Sequence, residues 1–420
     1  MSEHILIVGP GRDFPPRLRR AEPGARTTVI CDITYMGRVR EPGGNARVIC
    51  VRRDAPEQEW IDLAMAVHKF DPFTRVSSFG ESDQYPYAAI AEALGLPAHS
   101  RETVNLAHDK AAMRAWLREQ GIDGAASARV RDLDELRAFV GRHGLPCIVK
   151  PVTNAGSAGV SKVTSESDLE RALERAGGSG TGPAEGGVLV EEFFDGPQFS
   201  VEAFSESGEH EVVGVTRKYS DPVSFVELGH VSPAGLSGER SREIGTYVER
   251  ILDAIGVRDG PTHTEIVLTD RGPRLIETHI RMGGDRIPDL TLDSTGVDID
   301  DCAVRQALGE RVLPGIRATL DAADRPRRAS SVWFASVDTA GVLDAVTGTD
   351  DAAAVPGVTE VSVLAEPGTR IGALVDSESR LACVRALADT PDAAVTAAQE
   401  AVSRLEFRIR ARPQGSGAAV

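Results

Sequence analysis

The chain has 420 residues, room for about three domains at roughly 150 residues each. Hydrophobic residues make up 41% and charged residues 26%, a globular composition that excludes disordered and fibrous classes. With 47 Lys+Arg against 63 Asp+Glu, the formal charge of −16 excludes a broad basic footprint, so no nucleic-acid partner is expected, although a local basic pocket for a small anion is compatible with it.

In chain order, HILIV (4–8) reads as a buried strand entering Gly9-Pro10-Gly11. Its apolar run is too short for a signal-peptide core, and no run of about 18 apolar residues predicts a membrane span. Short apolar runs at 29–31, 47–51 and 76–79 alternate with helical stretches at 58–69 and 87–94, which predicts a parallel α/β domain over 1–100. Gly9-Pro10-Gly11 lacks the third glycine of a dinucleotide fingerprint. Next come a helix at 110–120, with Met113, Trp116 and Leu117 on one face, and a helix at 136–142. LPCIVKPV (145–152) reads as a strand, TNAGSAGVSKV (153–163) as a small-residue loop returning to a strand, and 168–176 as a helix. GGSGTGPAEGG (177–187) is a flexible connector. VLVEEFF (188–194) and FSVEAFS (199–205) are strands. Apolar positions 244, 248, 251, 252 and 255 mark a helix. A Pro- and Arg-rich junction at 313–328 opens a third region. It has strand-like runs at 331–337, 358–364 and 371–375, a helix at 392–404, a strand at 405–409 and a disordered tail, ARPQGSGAAV.

Two residue counts bear on chemistry. The five cysteines, Cys31, Cys50, Cys147, Cys302 and Cys383, are scattered and show no zinc spacing, which reads as reduced thiols in a cytoplasmic protein. Only five lysines (69, 110, 150, 162 and 218) stand against 42 arginines, so a retained lysine calls for a chemical reason.

HTEIVLTD (263–270) and PRLIETHI (273–280) alternate as the strands of a hairpin about Asp270-Arg271-Gly272-Pro273. Folding it puts Glu265 opposite Glu277 and His263 opposite His279, with Leu275, Glu277, His279 and Arg281 on one face. Facing carboxylates repel unless a cation lies between them, and oxygen ligands with room for phosphate suit magnesium. A solvated face with two unrelated glutamates is the alternative. Arg281 could hold a carboxylate or oxyanion, or merely neutralise the glutamates. Gly283 and Gly284 would let backbone approach a ligand. Lys150 ends an apolar strand as a point charge suited to phosphate. Behind it, Gly156, Ser157 and Gly159 expose backbone N–H groups that could wrap phosphate oxygens, without the GKS or GKT of a Walker loop. Glu191, Glu192, Phe193 and Phe194 could frame an adenine; core packing explains the phenylalanines equally well.

AHDKAAMRAWLREQGI (107–122), PCIVKPVTNAGSAGV (146–160), VLVEEFFDGPQFSVEAF (188–204) and THTEIVLTD…RLIETHIRMGGDRIPDL (262–290) together resemble the four main blocks of the ATP-grasp superfamily, in order and spacing. FVELGHVSPA (225–234) and the E-x-H-x-R-x-G-G-D run make the chain look most like the L-amino-acid ligases, including the bacilysin-type dipeptide synthetases. The resemblance covers about residues 5–310 well. It implies an α/β and α+β architecture: a pre-ATP-grasp domain over 1–100, an ATP-grasp domain over 101–315 with a lid at about 125–190, and a small α+β domain over 316–410.

The resemblance also implies roles. Lys110 and Lys150 would contact the phosphates of ATP, with Gly156, Ser157, Ala158 and Gly159 as the lid over them. Glu191, Glu192, Phe193 and Phe194 would surround adenine, and Gln198 would meet the ribose. Glu265 and Glu277 would hold two magnesium ions, with manganese as a substitute. Arg281, beside Gly283 and Gly284, would hold the substrate carboxylate and then the tetrahedral intermediate, while His230 and Asp285 line the substrate pocket. His279 stands where many relatives carry a metal-binding asparagine; imidazole is a softer ligand for magnesium, so it either completes the metal site or binds substrate. The implied activity is amide formation between a small carboxylic acid and an amine, with amino acids expected, in a specialised-metabolite pathway and from a homodimer. A carboxylating enzyme of biotin or purine type, a D-alanine-type ligase and a non-catalytic nucleotide-binding protein are the alternatives.

Overall fold

The computed structural model describes residues 3–153, 156–177, 187–322 and 328–410. The expected tail at 411–420 and most of the connector at 177–187 lie outside these residues. Among the described residues, no helix is long and apolar enough to cross a membrane.

His4–Val8 is buried at every position, which a strand can tolerate only when both faces of its sheet are covered. It pairs in parallel with Arg26–Asp32 and Arg75–Ser77, and Arg47–Val51 adds the outer strand beside Arg26–Asp32. Helices Phe14–Ala21 and Glu57–Phe70 alternate with these strands, which is the parallel α/β arrangement expected at the N-terminus. Gly9 turns the chain at φ +95°, where a Cβ would lie 2.5 Å from the Asp83 carboxylate, so the turn admits only glycine comfortably.

A four-stranded antiparallel sheet follows, ordered Ser127–Val130, Val188–Glu192, Cys147–Pro151, Ser161–Val163. Helices Leu133–His143 and Leu169–Gly177 cover it through Leu136, Phe139, Val140, Leu169, Ala172 and Ala176. The first of these begins at a cap: Asp132 accepts the backbone N–H of Glu135 at 2.9 Å.

The third sheet has eight strands. Gly272–His279, Gly260–Thr269, Gln198–Glu206, Glu209–Ser220 and Glu227–Ser232 run antiparallel, and Ala329–Ala335, Ala382–Ala388 and Val358–Val363 continue the same sheet. The helix Gly238–Ile255 packs on it through Ile244, Val248, Ile251, Leu252 and Ile255, the stripe the sequence marks, against Phe199, Val201, Ile266 and Leu275. Met113 and Leu117 of the helix Lys110–Glu119 join the same core.

Two expectations change. Residues 313–321 are not an irregular junction but the helix Leu313–Asp321, with Leu313 and Ile316 buried against the N-terminal core. Pro314 sits in its first turn, where no N–H is needed. The run at 371–375 shrinks to the two-residue strand Arg370–Ile371, which pairs with Gly341–Thr347 in a small sheet completed by Glu406–Arg410.

Candidate active site

A cleft of about 260 Å³ lies between the four-stranded sheet and the eight-stranded one. The hairpin Gly260–Thr269/Gly272–His279 supplies its floor. Its register sets His263 opposite His279 and Glu265 opposite Glu277, as the sequence predicts. Beyond that pair the register shifts, Ile276 bulges out, and Leu275 comes opposite Ile266. Leu275 therefore does not share the face of Glu277: it packs with Ile266 in the core. One extra residue thus lets a single strand bury leucine and present glutamate.

Every buried charge in the cleft has an opposite. Lys110 Nζ lies 3.0 Å from Glu277, and Lys218 Nζ lies 2.5 Å from Glu265 and 3.2 Å from Glu227. Glu191 is shared by Lys150 at 2.5 Å and Arg114 at 3.0 Å. These pairings set the ionisation. Burial pushes the Glu277 carboxyl up, but Lys110 and His279 outweigh it and hold the group well below its ordinary value. Glu265 follows the same logic, with burial overcome by Lys218 and His263. Both acids are ionised at neutral pH. Burial, with Arg114 and Lys110 close by, holds Lys150 below the usual lysine value despite Glu191. Such pairs are costly to bury, and removing one partner strands the other. A polyanionic ligand that took over the lysines would release the carboxylates for metal.

Most of the sequence-predicted residues meet here. Lys110, Lys150, Glu191, Glu192, Phe193, Phe194 and Gln198 line one part of the cleft, with Gly156, Ser157 and Ala158 beside them. Ser157 is held at φ +61°, and its hydroxyl donates to the Phe225 carbonyl at 2.9 Å. Phe193 carries Lys162 over its ring at 3.6 Å, so it serves a cation contact as well as the cleft wall. Glu265, Glu277, His279, Arg281, Gly284, His230 and Asp285 line the other part. Asn154 and Ala155 of the loop lie outside the described residues.

Two glycines stand apart from the lining. Gly159 turns the loop at φ +80°, with a Cβ that would meet Pro151 at 2.9 Å. Gly283 packs behind the wall, where a Cβ would lie 2.8 Å from His263 Nδ1. Its smallness serves packing rather than ligand approach, a correction to the expected role.

Sequence reasoning missed several groups of the site. Arg114 stands four residues after Lys110 on one helix, a spacing that puts both on one face. Lys218 is one of the five lysines, and Glu227 belongs to FVELGH. Two others arrive from remote segments and leave no local signal. Glu81 accepts from Arg281 Nε at 2.7 Å, and Ser377 lines the cleft beside the loop.

Among the described residues, no group of three or more His, Cys, Asp or Glu side chains forms a metal cage. Beside a nucleotide, magnesium takes one or two carboxylates, completed by phosphate oxygens and water. Opposed and ionised, Glu265 and Glu277 fit it. His279 fits less well. Its Nδ1 is 3.2 Å from Glu81 and its Nε2 3.2 Å from Glu277, so neither ring nitrogen turns a lone pair to a metal.

Residues 143–289 match the ATP-grasp domain family, and residues 333–410 match L-amino acid ligase C-terminal domain 2. An uncharacterized protein, y4rH, of Sinorhizobium fredii is 30% identical over 366 residues, 87% of this chain and 73% of its own length. Alanine–anticapsin ligase of Bacillus subtilis is 27% identical over 258 residues, covering 56% of this chain and only 54% of that protein. The crystal structure of L-amino acid ligase from Bacillus licheniformis has the same fold, with a TM-score of 0.81 at 22% identity over 97% of this chain and 99% of that one. The chain belongs to the ATP-grasp family, and its C-terminal part matches that of the L-amino acid ligases.

Proposed function

We propose that this ligase joins an amino acid, or an acid resembling one, to an amine through an acyl phosphate, releasing ADP and phosphate. The observation that carries the reading is the opposed pair Glu265 and Glu277, each against a buried lysine, in one cleft with Lys150 and Arg281. Residues 333–410, which match a domain of L-amino acid ligases, favour amine ligation over carboxylation.

In the first step an oxygen of the acid attacks the γ-phosphorus, the bond to the bridging oxygen breaks, and ADP leaves. Lys110 and Lys150 neutralise phosphate charge, and Arg281 holds the acid in line for attack. In the second step the amine nitrogen attacks the acyl carbon, a proton is lost from nitrogen, and phosphate departs with the acid's oxygen. Arg281 then faces the oxyanion that develops at that carbon. Gly156, Ser157 and Ala158 cover the site against water, which would hydrolyse the acyl phosphate. Magnesium, as two ions with manganese as a substitute, would be held by Glu265 and Glu277 and would neutralise phosphate charge when bound. A place in specialised metabolism, such as a peptide-antibiotic pathway, is consistent with the alanine–anticapsin ligase relative.

The test is a screen for ADP release over pairs of L-amino acids, with D-alanine included, and mass spectrometry of the products. ADP release that needs two amino acids, with a dipeptide mass, is expected. Release that instead needs bicarbonate and no amine would replace this reading with carboxylation.

A further inference from the structure

The substrate end of the cleft is tied down from a segment about a hundred residues away in sequence. Asp285 sits at φ +52° and Arg286 at φ +65°, left-handed conformations that non-glycine residues adopt only when their surroundings hold them. Arg286 pairs with Asp289 and Glu360, and Asp285 is held by Arg380. Its guanidinium grips both oxygens of Asp285 at 2.6 Å each and lies 3.8 Å over the Phe334 ring, while its Nε donates to the Ser377 carbonyl at 2.9 Å. It is buried, at 8% exposure, and unlike Arg281 it does not line the cleft. Asp285 does line it, and shares its Oδ2 with His230 Nε2 at 3.2 Å.

We infer that Arg380 is a positioning residue for the ligase reaction, which by clamping Asp285 fixes the segment from Arg281 to Asp285 and keeps that carboxylate from competing with the acid substrate for Arg281. The two residues are four apart, joined through Gly283 and Gly284. An Asp285 without its clamp would leave a free anion in a cleft whose ligands are themselves anions. It could also fold back onto Arg281, whose guanidinium is suited to a carboxylate. A two-pronged contact is what arginine makes and lysine does not. The inference rests on the ligase reading, since it assigns an effect on the acid substrate.

Arg380→Gln decides it, alone and combined with Asp285→Asn, using the amino-acid pair that gives most ADP in the screen. We expect the KM of the acid to rise about tenfold or more while the KM of ATP stays within about twofold, because misplacing one holding group penalises the step it orients. Adding Asp285→Asn, which removes the freed charge, should recover most of the loss. Amide hydrogen exchange over residues 281–287 should quicken in Arg380→Gln. Should that variant not fold, Arg380→Lys carries the same comparison, keeping the charge and losing the fork. Equal rises in both KM values, no recovery in the double variant, or unchanged exchange over 281–287 would overturn the inference. A parent protein silent on every pair would instead fail the ligase reading, and the exchange measurement would still decide whether Arg380 holds the segment.

Discussion

At the scale of single residues, the cleft is a set of buried charges that satisfy each other. Glu277 is the member with most to lose, because it faces Lys110, His279 and Glu265 at once. Glu277→Gln keeps the shape and removes the charge. It should lower turnover roughly a hundredfold or more, the scale seen when one group that meets developing charge is lost. Lys150→Ala and Arg281→Ala should do likewise, with circular dichroism unchanged in all three. Near-parental turnover in Glu277→Gln would remove the carboxylate pair from the mechanism. These residues were legible because chemistry repeats in patterns: alternation along two strands, a turn between them, and a lysine in a chain that avoids lysine. Lys218, Glu81 and Arg380 were not assigned. The first had its rarity as a signal, while the other two enter the site by tertiary contact alone.

Secondary-structure elements are held in register by polar contacts as well as by core packing. Asp123, just after the helix Lys110–Glu119, accepts from the hydroxyl of Tyr247 on the helix Gly238–Ile255 and from the N–H of Leu275 at 3.1 Å on the strand Gly272–His279. It thereby ties two helices to the strand that carries Glu277, at the residue next to the bulge. Burial pushes its carboxyl up, but Arg114, Tyr247 and the amides of Ala125 and Leu275 outweigh that and hold it below its ordinary value. A depressed folded value means the stabilisation is complete above the ordinary carboxylate range and is lost as pH falls through the folded value. Asp123→Asn should cost about 2 kcal/mol at neutral pH, since it removes the buried charge that Tyr247 and the Leu275 amide donate to and that Arg114 faces beside Glu191. Urea melts should show the gap to the parent narrowing as pH drops below the ordinary carboxylate value toward the lower folded one. A gap independent of pH would contradict this account of the contact. Most strands and helices could be read from periodicity, including the stripe at 244–255. The bulge at Ile276 could not, because alternation alone carries no mark of an extra residue.

Across the whole molecule, three parts of the chain converge on one cleft. The N-terminal part sends Glu81 to Arg281, the middle supplies the lysines and glutamates, and the C-terminal part brings Ser377 to the wall and Arg380 behind it. Composition predicted a globular, acidic chain and the motifs predicted the nucleotide cleft, but the continuation of the eight-stranded sheet into residues 329–388 depends on pairing between Glu227–Ser232 and Ala329–Ala335. Those strands are almost a hundred residues apart, and neither one alone indicates its partner. The net charge of −16 is compatible with the proposed phosphate site, because Lys110, Arg114, Lys150 and Lys218 are buried together in the cleft. In the proposed reaction this cleft hands the terminal phosphoryl group of ATP to the oxygen of an organic acid. The decisive measurement supplies an acid labelled with oxygen-18 in its carboxylate, together with its amine partner. ADP as the nucleotide product and one labelled oxygen in the phosphate released are expected, whereas AMP as the product, or phosphate free of label, would rule the reaction out.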